Sequence, residues 1–84
     1  MKKIYWFSYS FEGKNNGVCV VEAFTQQEAE EKVENLKLAP DSDDIMIIEI
    51  DDFSYDPLIQ LNTYYSREEM INLNYKPIAL CKDI

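Results

Sequence analysis

Eighty-four residues, the length of one domain spanning 1–84, carry sixteen acids, eight bases and no histidine, for a net charge of −8. That balance argues against binding nucleic acid or an anionic membrane through a basic surface. The absence of histidine removes the commonest general base and metal ligand, so neither a Ser–His nor a Cys–His pair can be assembled.

The chain opens on Ile4-Tyr5-Trp6-Phe7-Ser8-Tyr9-Ser10-Phe11, with six large apolar or aromatic residues in eight. This composition predicts a strand buried on both faces and central in its sheet, because an exposed edge so apolar invites aggregation. Alternation puts Tyr5, Phe7, Tyr9 and Phe11 on one face and Ile4, Trp6, Ser8 and Ser10 on the other. Glu12-Gly13-Lys14-Asn15-Asn16-Gly17 follows, and its Asn-Gly pair and two glycines supply the positive φ of a tight reversal. Residues 18–23, β-branched and apolar, complete an antiparallel hairpin.

Thr25-Gln26-Gln27-Glu28 reads as a capping box, with Phe24 and Ala29 at the positions of a hydrophobic staple. Ala29, Val33 and Leu36 recur on one helical face, predicted to pack on the hairpin. The opposite face carries Glu28, Glu31 and Glu34, with Glu30 on its flank, and Glu28–Lys32 is a favourable i,i+4 pair. The helix should end near Lys37-Leu38, ahead of Pro40. Asp41-Ser42-Asp43-Asp44 is then a loop and residues 45–50 a third strand, brought beside the first by a right-handed crossover. Residues 51–60 read as loop. Ser66-Arg67-Glu68-Glu69 is a second capping box, opening a short helix that Asn74 can stop. Residues 77–81 form a possible fourth strand, confined to an edge by Pro77.

The predicted class is α+β: a small mixed sheet with element order β-β-α-β-(short α)-β and one main helix on one sheet face. That order resembles the β-grasp domain, the ubiquitin superfold, over most of the chain. The resemblance implies a fold and not conjugation, since Lys82-Asp83-Ile84 lacks a Gly-Gly tail.

Two cysteines, Cys19 and Cys81, are too few for a disulfide scaffold, and both lie in apolar runs. With no secretory signal and no membrane-length apolar stretch, they point to reduced core thiols in a cytoplasmic protein. Asp41, Asp43 and Asp44 echo the start of a calcium loop, but Met46 and Asp52 stand where that loop needs Gly and Glu. No metal site, catalytic residue or cofactor is therefore expected. One helix covers one sheet face. The second needs a cover from residues 53–75, a second copy of the chain in a homodimer, or a ligand.

The charge is uneven. Residues 22–56 hold twelve acids against Lys32 and Lys37. Carboxylates at i, i+3 and i+4 on a helix lie about 5–6 Å apart, close enough to occupy sites built for successive phosphates. The leading expectation is a non-enzymatic protein-binding module, an inhibitor that meets a basic, nucleic-acid-handling surface through Glu28, Glu31, Glu34, Asp41, Asp43 and Asp44. Small acidic phage and mobile-element proteins that block nucleases are similar in size and charge. The alternative is a small-molecule or nucleotide binder that uses the aromatic sheet face with Tyr64, Tyr65 and Tyr75.

Overall fold

The computed structural model of the chain describes residues 2–50 and 59–73. These residues form an antiparallel four-stranded sheet and two helices, an α+β arrangement. Strand β1 (Lys3–Phe11) and strand β2 (Lys14–Ala23) make the hairpin, followed by helix α1 (Gln26–Asn35) and strand β3 (Asp44–Ile50). Strand β4 (Thr63–Tyr65) and helix α2 (Arg67–Asn72) complete the described elements.

The strands lie in the order β3-β1-β2-β4. The aromatic strand β1 is central, and β3 lies beside it, as its composition and the crossover require. The expected mixed sheet is not formed by the described strands. β1 meets an antiparallel partner on each side, β2 and β3, so no parallel strand can lie next to it. Strand β4 pairs antiparallel with β2 over Val18–Tyr65, Cys19–Tyr64 and Val20–Thr63. The sequence did not announce it, because three residues are too few for a periodic signal. The strand expected at 77–81 and the helix stop at Asn74 lie outside the described residues.

The hairpin reverses at Glu12-Gly13 rather than at Asn16-Gly17. Glu12 (φ 53°) and Gly13 (φ 80°) both have positive φ, and Phe11 pairs directly with Lys14. That is the two-residue turn whose twist matches the strands. The Asn-Gly pair falls inside β2, where the register shifts between Tyr9 and Ser10 and leaves Asn16 without a cross-strand mate in β1. Asn15 Oδ1 closes this bulge by accepting the Gly17 N–H at 2.8 Å.

Each sheet face has its own core. On one, Ala29 and Val33 of α1 pack against Tyr5, Phe7, Tyr9, Cys19, Val21 and Ala23. On the other, Ile59 and Met70 close over Ile4, Trp6, Val18 and Val20. The second face is thus covered by the chain's own residues 59–73. Ser8, buried on that face, accepts the Trp6 indole N–H at 2.8 Å.

Both helices start where the sequence places them. Ser66 forms the full reciprocal box, accepting from the Glu69 N–H while Glu69 Oε1 accepts from the Ser66 N–H. Thr25 makes only its own half, accepting from the Glu28 N–H at 3.2 Å. Helix α1 ends two residues before the expected stop. Lys37 takes φ 55°, its N–H reaches the Glu34 carbonyl, and the Leu38 N–H reaches the Val33 carbonyl. This is a Schellman ending with lysine at the position that glycine usually holds. Leu38 then turns in against the core.

Candidate functional site

The hydrophobic stripe of α1 fixes the direction of its charges. Ala29 and Val33 are buried, so Glu28, Glu31 and Glu34 stand on the outer surface, and all three are exposed. Glu30 is exposed on the flank. The expected Glu28–Lys32 pair is not made. Lys32 turns instead to β2, where its Nζ donates to the Glu22 carbonyl at 2.9 Å. The ion pairs seen among the described residues, Lys2–Glu22 and Lys3–Glu49, lie away from this row.

The acidic loop continues from α1 toward the tip of the hairpin. There Asp43 has a structural task that its sequence does not reveal. Its N–H donates to the Ser10 carbonyl at 2.9 Å, and its Oδ2 accepts the Glu12 N–H at 3.0 Å. The Asp41 carbonyl accepts from Asn16 Nδ2 at 2.6 Å. These bonds tie the loop to the turn and set Asp41 and Asp43 beside Glu12, all three exposed. Asp44 begins β3 opposite Ser10. Of the six acids singled out from the sequence, three therefore line the outer face of α1, and three follow at the hairpin-tip end of the sheet. Among the described residues no three His, Cys, Asp or Glu side chains converge on a possible metal position, Asp41, Asp43 and Asp44 included.

The aromatic alternative fares differently. Tyr64 Oη donates to the Asn16 carbonyl, and its ring lies over the Gly17 backbone. Tyr65 packs beside Ile59 and Met70, and its Oη accepts the Gln60 N–H at 3.0 Å. Both hydroxyls are thus engaged within the fold, and the second sheet face is closed by Ile59 and Met70, inside the 53–75 stretch expected as one possible cover. Tyr75 lies outside the described residues.

Cys19 is fully buried, and burial pushes its thiol up to about 11, an effect that the hydrogen bond with Tyr9 only moderates. Its Sγ lies 3.4 Å from Tyr9 Oη, and Tyr9 is itself held well above the usual phenol range by burial and by that thiol. A neutral thiol paired with a neutral phenol, both shut off from solvent, is core material rather than a nucleophile. Cys81 lies outside the described residues. No helix among the described residues is long and apolar enough to cross a membrane. Comparison with protein-family models, curated proteins and solved structures found no match to the chain.

Proposed function

We propose that this chain is a non-enzymatic protein-binding module whose acidic surface occupies a basic, nucleic-acid-handling site on a partner protein. The observation that carries the reading is the row Glu28, Glu31 and Glu34. It is exposed along the outside of α1, with the one lysine of that helix bonded elsewhere. Asp41 and Asp43 extend the negative surface past the end of the helix. Carboxylates spaced about 5–6 Å apart on a rigid helix can meet a line of Arg and Lys side chains without reorganising. Such a module competes with the phosphates of DNA or RNA for the same cations. Its size and charge match those of phage-type inhibitors.

The test compares two triple variants that each remove three charges. Glu28→Gln with Glu31→Gln and Glu34→Gln strips the helix row. Glu49→Gln with Glu68→Gln and Glu69→Gln, all away from the row and the loop, serves as control, and glutamine at 69 still completes the capping box. Proteins captured from the source organism on the immobilised wild-type chain are then titrated with each variant and with duplex DNA and RNA. The reading expects a nucleic-acid-binding partner whose association with the helix variant is markedly slower, while the control stays close to wild type. Wild-type binding should also weaken steeply with salt. Equal binding by all three proteins would refute it.

A further inference from the structure

Asn16-Gly17 makes no turn in this fold, and the pair has a second chemical property. Asparagine is among the thermolabile residues. The backbone nitrogen of the following residue can attack its side-chain amide carbon, and glycine, with no Cβ, leaves that nitrogen least hindered. Of the six asparagines in the chain, only Asn16 precedes a glycine.

Three hydrogen bonds hold the groups that such an attack must move. Asn16 Nδ2, the leaving group, donates to the Asp41 carbonyl at 2.6 Å. The Gly17 N–H, the attacking group, donates to Asn15 Oδ1 at 2.8 Å, and Asn15 is itself buried. The Asn16 carbonyl accepts from Tyr64 Oη. That carbonyl and the Gly17 nitrogen belong to one planar peptide, which is therefore gripped at both edges. While these bonds last, the nitrogen cannot turn toward Asn16 Cγ. Gly17 is buried and Asn16 partly so. Asp41 lies 25 positions from Asn16 and Tyr64 lies 48 away, so the protection is tertiary. It lapses when the loop or β4 opens.

We propose that Asn16 is a deamidation site that the closed fold suppresses and that opening of the acidic loop or of β4 exposes. The Gly17 nitrogen forms a bond to Asn16 Cγ, and the Cγ–Nδ2 bond breaks. Nδ2 leaves as ammonia, carrying the Gly17 amide proton. Water then opens the cyclic imide at either carbonyl, which leaves aspartate or isoaspartate at position 16. Water is the only other reactant. Neither product can remake the closed state. A carboxylate has no N–H to give to the Asp41 carbonyl. It also adds negative charge against a loop that already holds Asp41 and Asp43. Isoaspartate further routes the main chain through the side chain, adding a backbone carbon inside β2 next to the pairing of Gly17 with Tyr9. Opening thus becomes permanent, and the segment it releases is the one that carries Asp41 and Asp43. The modification needs no partner protein.

Peptide mapping by mass spectrometry tests the proposal on the full chain, held in mildly alkaline buffer either native or unfolded in guanidinium chloride. Conversion of amide to acid should concentrate at position 16 and run at least about tenfold slower in the native chain. Tyr64→Phe removes the hydroxyl that grips the Asn16 carbonyl and keeps the ring over Gly17. With an unchanged circular dichroism spectrum, it should convert at least about threefold faster than native wild type. Asn16→Asp presents one product directly. Hydrogen exchange at its Asp43 amide, which is bonded to the Ser10 carbonyl, should be at least about threefold faster than in wild type. Amides of the β1–β2 ladder around Trp6 should exchange as before. Equal conversion at position 16 in native and unfolded chains, or none there in the unfolded chain, overturns the proposal. So does a Tyr64→Phe chain that converts no faster than wild type, or an Asn16→Asp chain whose Asp43 amide keeps its protection.

Discussion

Gly17→Ala is the substitution through which the packing of β4 on the hairpin can be measured. Gly17 sits at φ +118°, and a Cβ added there would lie 2.6 Å from Cε1 and 2.7 Å from Cζ of Tyr64. Tyr64 cannot simply step aside. Its hydroxyl is bonded to the Asn16 carbonyl, and its backbone is paired with Cys19. Two costs therefore add. Holding alanine at positive φ costs roughly 1–2 kcal/mol. Displacing the Tyr64 ring forfeits its hydrogen bond, about 0.5–1.5 kcal/mol, along with some packing. The expected destabilisation is about 2–4 kcal/mol. Gly13→Ala supplies the control. Its φ is +80°, but nothing lies within 4 Å of the added carbon, so only the backbone term applies. Urea unfolding followed by Trp6 fluorescence gives both numbers. A cycle with Tyr64→Ala should show coupling of about 1–2 kcal/mol, because the ring that clashes is gone. If Gly17→Ala costs no more than Gly13→Ala, or if the cycle shows no coupling, the contact between ring and bulge is not what holds β4 in place.

Lys37→Gly should raise stability by about 0.5–1 kcal/mol, since relief of left-handed strain at φ 55° exceeds the added entropy of the unfolded chain. An unchanged or lower urea midpoint would count against the Schellman ending of α1. The alkaline limb of stability follows from Cys19, Tyr9 and Tyr64, all raised chiefly by burial. Groups whose acid form is favoured in the fold stabilise it fully below their unfolded values and lose that contribution as pH rises. The melting temperature should therefore hold to about pH 9 and fall between there and about pH 11, the value to which Cys19 is raised. In Cys19→Val the onset should move up toward the unfolded phenol value of 10.0, and an onset that stays put would assign the limb to other groups.

The parts of the fold that the sequence discloses are those decided locally. An aromatic run with polar interruptions on one face has one comfortable position, the centre of a sheet, and β1 takes it. Thr25 and Ser66 announce helices because a hydroxyl followed by Glu three residues on answers orphan amides within one turn. What stayed hidden was settled at a distance. Asn16-Gly17 is the stronger turn signal by composition, yet Glu12-Gly13 makes the reversal, and Gly17 is left to admit the Tyr64 ring from β4. Thr63-Tyr64-Tyr65 is a strand only because Val18, Cys19 and Val20 offer it an edge. The site divides in the same way. The outward aim of Glu28, Glu31 and Glu34 follows from Ala29 and Val33 by helical periodicity. The bond from the Glu12 amide to Asp43 spans 31 positions, and no local pattern encodes it.

The separation between the acidic row and the core bears on why the row exists. Helix α1 is held by its cap at Thr25, its Schellman ending and two buried side chains, Ala29 and Val33. None of these uses the side chains of the row: Glu34 contributes only its backbone carbonyl and Glu28 only its backbone N–H. Glu30 and Glu34, four residues apart, repel each other by a few tenths of a kcal/mol. The lysine that could offset Glu28 is bonded to the Glu22 carbonyl. The side chains of the row thus add little to the helix that carries them beyond the place of Glu28 in its first turn, and replacing them leaves the core untouched. Folding does not explain this arrangement. Solubility requires charge but is indifferent to where it lies, whereas helix α1 and the stretch after it through Asp44 hold seven of the sixteen acids. The proposed binding role takes this concentration of like charge on one helix and the loop that follows it as the surface that would meet a cationic partner.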